Sequence, residues 1–563
     1  MLHKVTSAAS IFGLIILIAG CVMKEENLFK DFVKIHVSKV KPLLRDRNLT
    51  YWNATASGEE SEYDRYAKLD LEIRKIYSNR DEFAQLKAWK ESGQVKDPLL
   101  ARQLTLLYNS YLGNQIDSTL MREMVEISTA VEEKFNTFRG TIDDEEVSTK
   151  RIYDILRTET SWIKRKKAWD ASKQVGSVVE PDLIRLVKLR NTAARQLGFD
   201  NYYSMALTLT EQNENDLVDL FQKLAETTEE PFKKLKAEVD SILAPRYGLT
   251  PEMMRPWGYN DPFFQEVPKV AEVSLDQFYK NEDIKELPVQ FYNSIGLDVG
   301  DILQKSDLYE RKDKYPHAYC TDIDREGDIR VMANLANNEY EMETMLHELG
   351  HAVYDKYIDP SLPFFLREPA QSFTTEAVAM MFGRLAHNAN WLHAMGLISA
   401  EERDNIQPTI EKSQRIGQLV FARWCQAMFN FERALYKNPD ADLNSLWWDL
   451  KETYQFVTRP ENRDEPDWAA KIHFTSSPVY YHNYMLGELT ASQFHMYIAE
   501  NILKSNDPVV TTYANHSEVG TYMRERIFKP GSRYDWNGLL QFATGEPLNS
   551  AHFGEQFIKG ASQ

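Results

Sequence analysis

Cysteine is nearly missing from this chain, with three in 563 residues. So few thiols exclude a disulfide framework as the source of the fold. Cys320 and Cys425 are read as two buried free thiols, and Cys21 belongs to the N-terminus treated below. Basic runs are missing too. Lys and Arg number 66 against 84 Asp and Glu, a formal net charge of −18. No stretch of five or six cations is present to track a phosphate backbone, so nucleic acid is not an expected partner. After residue 30 there is no Gly/Ser-rich linker, low-complexity tract, internal repeat or apolar run of the roughly 20 residues that a membrane-crossing helix needs. What remains is one large globular domain, for which 43% hydrophobic and 12% aromatic residues suffice as a core.

The N-terminus differs from the rest. Lys4 precedes the apolar run "IFGLIILIA", residues 11 to 19, which is short for a membrane span and reads as a secretion leader. Ile18-Ala19-Gly20-Cys21 resembles the lipobox of bacterial lipoproteins. That resemblance implies cleavage before Cys21, lipid on its sulfur, and an extracytoplasmic place in the cell envelope, held to the membrane through the lipid. A cleaved soluble leader and an N-terminal anchor are the alternatives. "VMKEEN" after the cysteine resembles the signal that carries some lipoproteins to the cell surface. Residues 1–20 are then a leader, 21–30 a lipidated tether and 31–563 a single domain with two subdomains around a cleft.

Apolar residues recur at intervals of three and four in "EYDRYAKLDLEIRKIYSNRDEFAQLKAWKES", "EPDLIRLVKLRNTAARQLG", "NDLVDLFQKLAETTEEPFKKLKAEVDSILAPRYG" and "ERDNIQPTIEKSQRIGQLVFARWCQAMFNFERALYK". This period predicts a mostly α fold, with Gly198 and Gly248 closing two of the helices. The exception is "HAYCTDIDREGDIRVMANL", residues 317–335, where two strand-like runs flank a turn and predict a small hairpin. An asparagine-capped helix follows at "NNEYEMETMLHELGHAVYDKY".

That helix carries His347-Glu348-x-x-His351. Histidines at i and i+4 project from one face, about 5–6 Å apart at Cβ, so both can hold one metal ion, and the glutamate between them can take a proton from metal-activated water. A catalytic zinc site normally has three protein ligands and leaves one position open. Two downstream carboxylates are candidates for the third. Glu368 stands beside Pro369 in a proline-rich reversal. Glu376 stands in the first turns of the next amphipathic helix, "SFTTEAVAMMFGRL", and is preferred because helices hold ligand geometry better than loops do. The pattern lacks the glycine and third histidine of metzincins.

These residues, with "YWNATASGEE", "KLRNTAARQLGFDNYYSM", "PHAYC", "WWDLKETYQ" and "KIHFTSSPVYYHNY", resemble the angiotensin-converting enzyme family of helical zinc dicarboxypeptidases, and more distantly the thimet-type oligopeptidases. The likeness runs through nearly the whole chain after the leader. It implies a zincin-like helical domain with a deep cleft that takes short peptides. It implies one zinc ion on His347, His351 and Glu376, with Glu348 as general base. His473 and Tyr484 match the groups that steady the tetrahedral intermediate, an imidazolium or neutral phenol supplying a hydrogen bond. Lys471 and Tyr481 match the pair that grips the substrate's C-terminal carboxylate. His317 and Ala318 match a segment that pairs with the peptide backbone, from an edge strand expected over 317–323.

The activity implied is release of C-terminal dipeptides. The rivals are an oligoendopeptidase or single-residue carboxypeptidase on the same scaffold, and an inactive peptide-binding lipoprotein. The chain also departs from the family. Met380 replaces an aspartate that orients a zinc histidine, so another carboxylate or carbonyl is expected there. The glutamine that helps hold the C-terminal carboxylate is missing, with Tyr259 nearest its place. Asn483 and Lys451 replace chloride-linked arginines, which leaves chloride dependence open.

Overall fold

A computed structural model describes residues 5–267, 270 and 274–558, with side chains from Lys24 onward. The leader 1–20 and the lipidation candidate Cys21 therefore lie outside the described side chains. The fold is mostly α. Its principal elements, numbered along the chain, are α1 (Val5–Ser57), α2 (Glu60–Tyr77), α3 (Arg80–Ser92), β1 (Gly140–Ile142), β2 (Glu145–Val147), α4 (Trp162–Gln196), α5 (Glu214–Leu243), β3 (Tyr319–Asp322), β4 (Ile329–Met332), α6 (Glu339–Lys356), α7 (Ser372–Gly383), α8 (Ala400–Lys437) and α9 (His482–Tyr497). Among the described residues no helix is long and apolar enough to cross a membrane.

The helical periods are realised with shifted boundaries. The first predicted helix breaks in two at Asn79, whose side chain accepts from the backbone N–H of Asp81 and Glu82 and so restarts the chain as α3. Pro181, Pro231 and Pro408 stand inside α4, α5 and α8 without ending them. The tether expected over 21–30 is part of the fold from Glu25 onward. Trp89 Nε1 donates to Glu25 at 3.0 Å, the Asp97 N–H donates to Glu26 at 2.8 Å, and Phe29 is fully buried against Phe32 and Trp89. An apolar ring within reach of a core tryptophan gains more from burial than from spacing a membrane anchor.

The expected hairpin is β3–β4, antiparallel, with Tyr319 opposite Met332 and Asp322 opposite Ile329. The strand begins at Tyr319, so His317 and Ala318 precede it. The β1–β2 hairpin was not foreseen; Asp143 and Asp144 turn it with φ of 52° and 66°.

Helices α6, α7 and α9 form the centre, α7 lying against both of the others. Glycine sets the first contact: a Cβ on Gly350 would come 2.8 Å from Ala379 Cα, so only glycine allows α6 and α7 this approach. The buried Tyr292 hydroxyl donates to the Leu346 carbonyl at 2.6 Å, and its ring packs on Phe382 of α7, which ties the two helices together one turn before Gly350.

Candidate active site

Asn338 caps α6 through the Glu341 N–H at 2.9 Å. After Lys356 the chain reverses through the proline-rich loop, where the Ser532 hydroxyl reaches the carbonyls of Glu368 and Pro369 at 3.0 and 2.9 Å. Gln371 and Thr374 then close a capping box that starts α7. This return brings Glu376 back to α6. Its carboxylate lies 3.7 Å from His347 Nε2 and 3.1 Å from His351 Nε2. The three donor atoms fall within 4.8 Å of one another, the only such group of three His, Cys or acidic residues among the described residues.

These separations suit zinc, since ligands about 2.0–2.1 Å from a tetrahedral ion stand roughly 3.3 Å apart. Glu368 is no part of the group; half exposed, it pairs with Arg325. Burial and the neighbouring His351 lower the His347 pKa to about 4, leaving the neutral imidazole a metal requires. His351 Nδ1 meets the Thr375 hydroxyl at 2.8 Å, so Nε2 is turned to the metal position. Glu348, 8% exposed, is pushed up to about 7 by burial and receives the Cys320 N–H from β3.

A second cluster lies on the loop before α9. Lys471 Nζ donates to Gln265 at 2.7 Å and sits 5.3 Å from the ring centroids of Tyr481 and of Trp424. Trp424 Nε1 donates to the Tyr481 hydroxyl at 2.7 Å, leaving that O–H free to donate elsewhere. Burial draws the Lys471 pKa down to about 8. The His473 ring is 5.0 Å from Tyr481 and 6.4 Å from Tyr484, and the charge of Glu376 acts on Tyr484, which links this loop to the metal triad. Burial, then Lys471, lower the His473 pKa to about 4. It is neutral at pH 7, so it offers an N–H and not the imidazolium allowed by the sequence reading. His473 Nδ1 is buried with no partner among the described residues. His317 stands exposed against Tyr315, with Ala318 half-buried beside it. Beside the start of α7, a cavity of about 680 Å³ is lined by Tyr77, Asn109, Arg325, Gln371 and Thr375.

The sequence model of the angiotensin-converting enzyme family matches residues 23–259 and 262–557. The chain belongs to this family. It is 25% identical to the angiotensin-converting enzyme of Oryctolagus cuniculus over 73% of the chain and 33% of that protein. It is 24% identical to an inactive angiotensin-converting enzyme-related protein of Caenorhabditis elegans, over 49% of the chain and 30% of that protein. It is 22% identical to thermostable carboxypeptidase 1 of Pyrococcus furiosus, over 69% of the chain and 75% of that protein. The match to the rabbit enzyme thus spans about a third of that protein's length.

Several departures from the angiotensin-converting enzyme pattern resolve in the structure. A glutamine does accompany Lys471: it is Gln265, and not Tyr259, which is buried with its hydroxyl on Asp240 at 2.9 Å. The local signal is "DPFFQE", because the buried Asp261 accepts the N–H groups of Phe263, Gln265 and Glu266 and so fixes the turn that presents Gln265. In place of the carboxylate or carbonyl expected after the loss of the aspartate at Met380, the hydroxyl of Thr375 is what orients His351. Asn483 is buried and accepts from Gln212 at 2.6 Å, while Lys451 Nζ donates to the Phe263 carbonyl at 2.5 Å and to Gln455. Cys320 and Cys425 are free, as expected, although Cys320 is only half-buried.

Proposed function

We propose that this chain is a zinc peptidase that releases dipeptides from the C-terminus of short peptides. The observation that carries this reading is the continuity of one segment, 471–484. It bears Lys471 and Tyr481, with Nζ 5.3 Å from the ring centroid, at one point and, a turn later, Tyr484, on which the charge of Glu376 acts.

His347, His351 and Glu376 would hold one zinc ion, which supplies Lewis-acid polarisation of the scissile carbonyl and an acidified water. Glu348 takes a proton from the attacking water and returns it to the leaving amine. The Tyr484 hydroxyl and a His473 N–H donate to the oxyanion. Lys471, Gln265 and Tyr481 bind the terminal carboxylate, so cleavage is counted from the free C-terminus. His317 and Ala318 lie ahead of β3, where an extended peptide could pair with the backbone.

The test is mass spectrometry of the products from one decapeptide with free and amidated C-termini, each with and without a chelator. Chelator-sensitive loss of dipeptides from the free form alone is the expected result. One-residue products would favour the single-residue carboxypeptidase reading, to which the similarity with a carboxypeptidase lends weight. Equal internal cleavage of both forms would make it an oligoendopeptidase, and stoichiometric zinc with no turnover the inactive binder.

The lysine grip carries its own pH signature. Lys471 is charged below its pKa of about 8 and loses the charge above it. For the free acid, the alkaline limb of kcat/KM should therefore fall as pH rises through 8, while protonation of Glu348, pushed up to about 7 by burial, sets the acid limb; the amidated peptide should show no such alkaline loss from this group. A flat profile for the free acid up to pH 9.5 would count against the grip.

The lipid anchor on Cys21 and an extracytoplasmic location are also proposed, from the lipobox resemblance alone. Radiolabelled palmitate should enter the full chain and not Cys21→Ser; equal labelling of both would refute the anchor.

A further inference from the structure

The segment 471–484 carries Lys471, His473, Tyr481 and Tyr484, yet one of its residues stands where its side chain resists. Val479 has φ of 55°. That left-handed region crowds Cβ against the backbone and is a genuine outlier for a β-branched residue. Val479 is buried, and its N–H donates to Glu432 Oε1 at 2.7 Å. Glu432 comes from α8 and is itself 3% exposed.

The start of the same loop is held by a cation. Arg190 of α4 donates to the carbonyls of Phe474 and Thr475 at 2.8 and 2.7 Å and to the Tyr436 hydroxyl at 3.1 Å. Its charge and that of Glu432 act on one another, and Tyr203 also faces Glu432. A buried cation on two carbonyls and a buried carboxylate on one N–H thus bracket residues 474–479. Neither group enters the proposed chemistry.

We propose that Glu432 is a positioning residue: its buried carboxylate keeps Val479 in the left-handed conformation, and this fixes the turn that presents Tyr481 and Tyr484 to the cleft. The inference rests on the functional reading of that loop. An ordinary core hydrogen bond would lower stability when lost, but it would not depend on which residue occupies position 479. The clamp predicts that dependence, because glycine adopts the left-handed region without Cβ crowding and so needs no clamp.

The experiment compares the full chain with Glu432→Leu, Glu432→Gln, Val479→Gly and the Leu/Gly double variant. Tm, zinc affinity by chelator competition, and kcat and KM on the free-acid peptide are read for each. Glu432→Leu is expected to lower kcat/KM by about 10²-fold, the scale of a misplaced catalytic group, with zinc affinity unchanged. Glu432→Gln keeps an acceptor and should stay close to the parent. Val479→Gly should raise Tm more in the Leu background than in the parent, and the double variant should recover most of the lost kcat/KM. A double variant no better than Glu432→Leu, a glutamine variant as impaired as the leucine one, or a matching loss of zinc would overturn the clamp. If Glu432→Leu does not fold, Val479→Gly alone decides, with a Tm at or above the parent supporting strain and a clear drop refuting it. An inactive parent refutes the peptidase reading, while the order of Tm values still tests the strain.

Discussion

Replacing Glu348 with glutamine is expected to lower kcat by about 10²–10⁴-fold, the usual weight of a general base or acid, while bound zinc stays stoichiometric. The amide has the shape of the carboxylate and keeps an oxygen for the Cys320 N–H, so the hairpin stays seated on α6. It cannot accept and return a proton. KM for the free-acid peptide should change little, since Lys471, Gln265 and Tyr481 are untouched, and the loss should therefore fall on kcat. Removing a buried charge should leave Tm equal or higher. Steady-state kinetics beside metal analysis of the same sample make the check. A variant that retains a tenth or more of parental kcat would remove Glu348 from the proton transfer.

Glu376→Ala should cost zinc itself. Losing an outer group that only orients a ligand costs about 10–100-fold in metal affinity, and losing one of three ligands should exceed that. The two histidines would be left with an open face toward α7. The imidazoles remain 4.9 Å apart at their ring centroids, so a weak two-histidine site should persist and activity should return partly at high zinc. Competition with a chromophoric chelator measures the affinity, and Glu368→Ala serves as comparison, its carboxylate being engaged with Arg325. If Glu368→Ala released the metal and Glu376→Ala did not, the ligand assignment would be reversed.

The two variants separate binding from chemistry at one helix face. Glu348 and the histidines share α6, and Glu376 arrives from α7 through a return fixed by Gln371, Thr374 and Ser532. The closeness of those helices depends on Gly350. Glutamate at 376 could not reach the histidines across a wider gap, which makes a backbone position as necessary to the centre as any of its ligands.

Much of this was legible in the chain. The three- and four-residue periods gave a mostly α fold because burial of one helix face imposes them. The strand-like runs around "DREGD" gave β3–β4, and the i, i+4 histidines gave two of the three candidate ligands because helix geometry alone brings such pairs together. The choice of Glu376 over Glu368 also followed from local signals, a helix start against a proline-flanked loop. Other features carry no local signature, since they join residues far apart in the chain. Gln265 meets Lys471 across 206 positions, Glu432 meets Val479 across 47, and Thr375 meets His351 across the proline reversal. Helix ends shifted for a related reason: packing carried α4 back past Pro181 to Trp162, and it drew Phe29 into the core.

By itself, then, the sequence determined the residues whose partners lie within a turn or two of helix: the metal pair, the base between them and the helical class. Tertiary structure alone decided that Gln265, Thr375 and Glu432 join them from a distance, and in which protonation state the site stands. Burial supplies the reason, because it neutralises His473 and softens the charge of Lys471, and burial is a property of neighbours that no local stretch of sequence specifies.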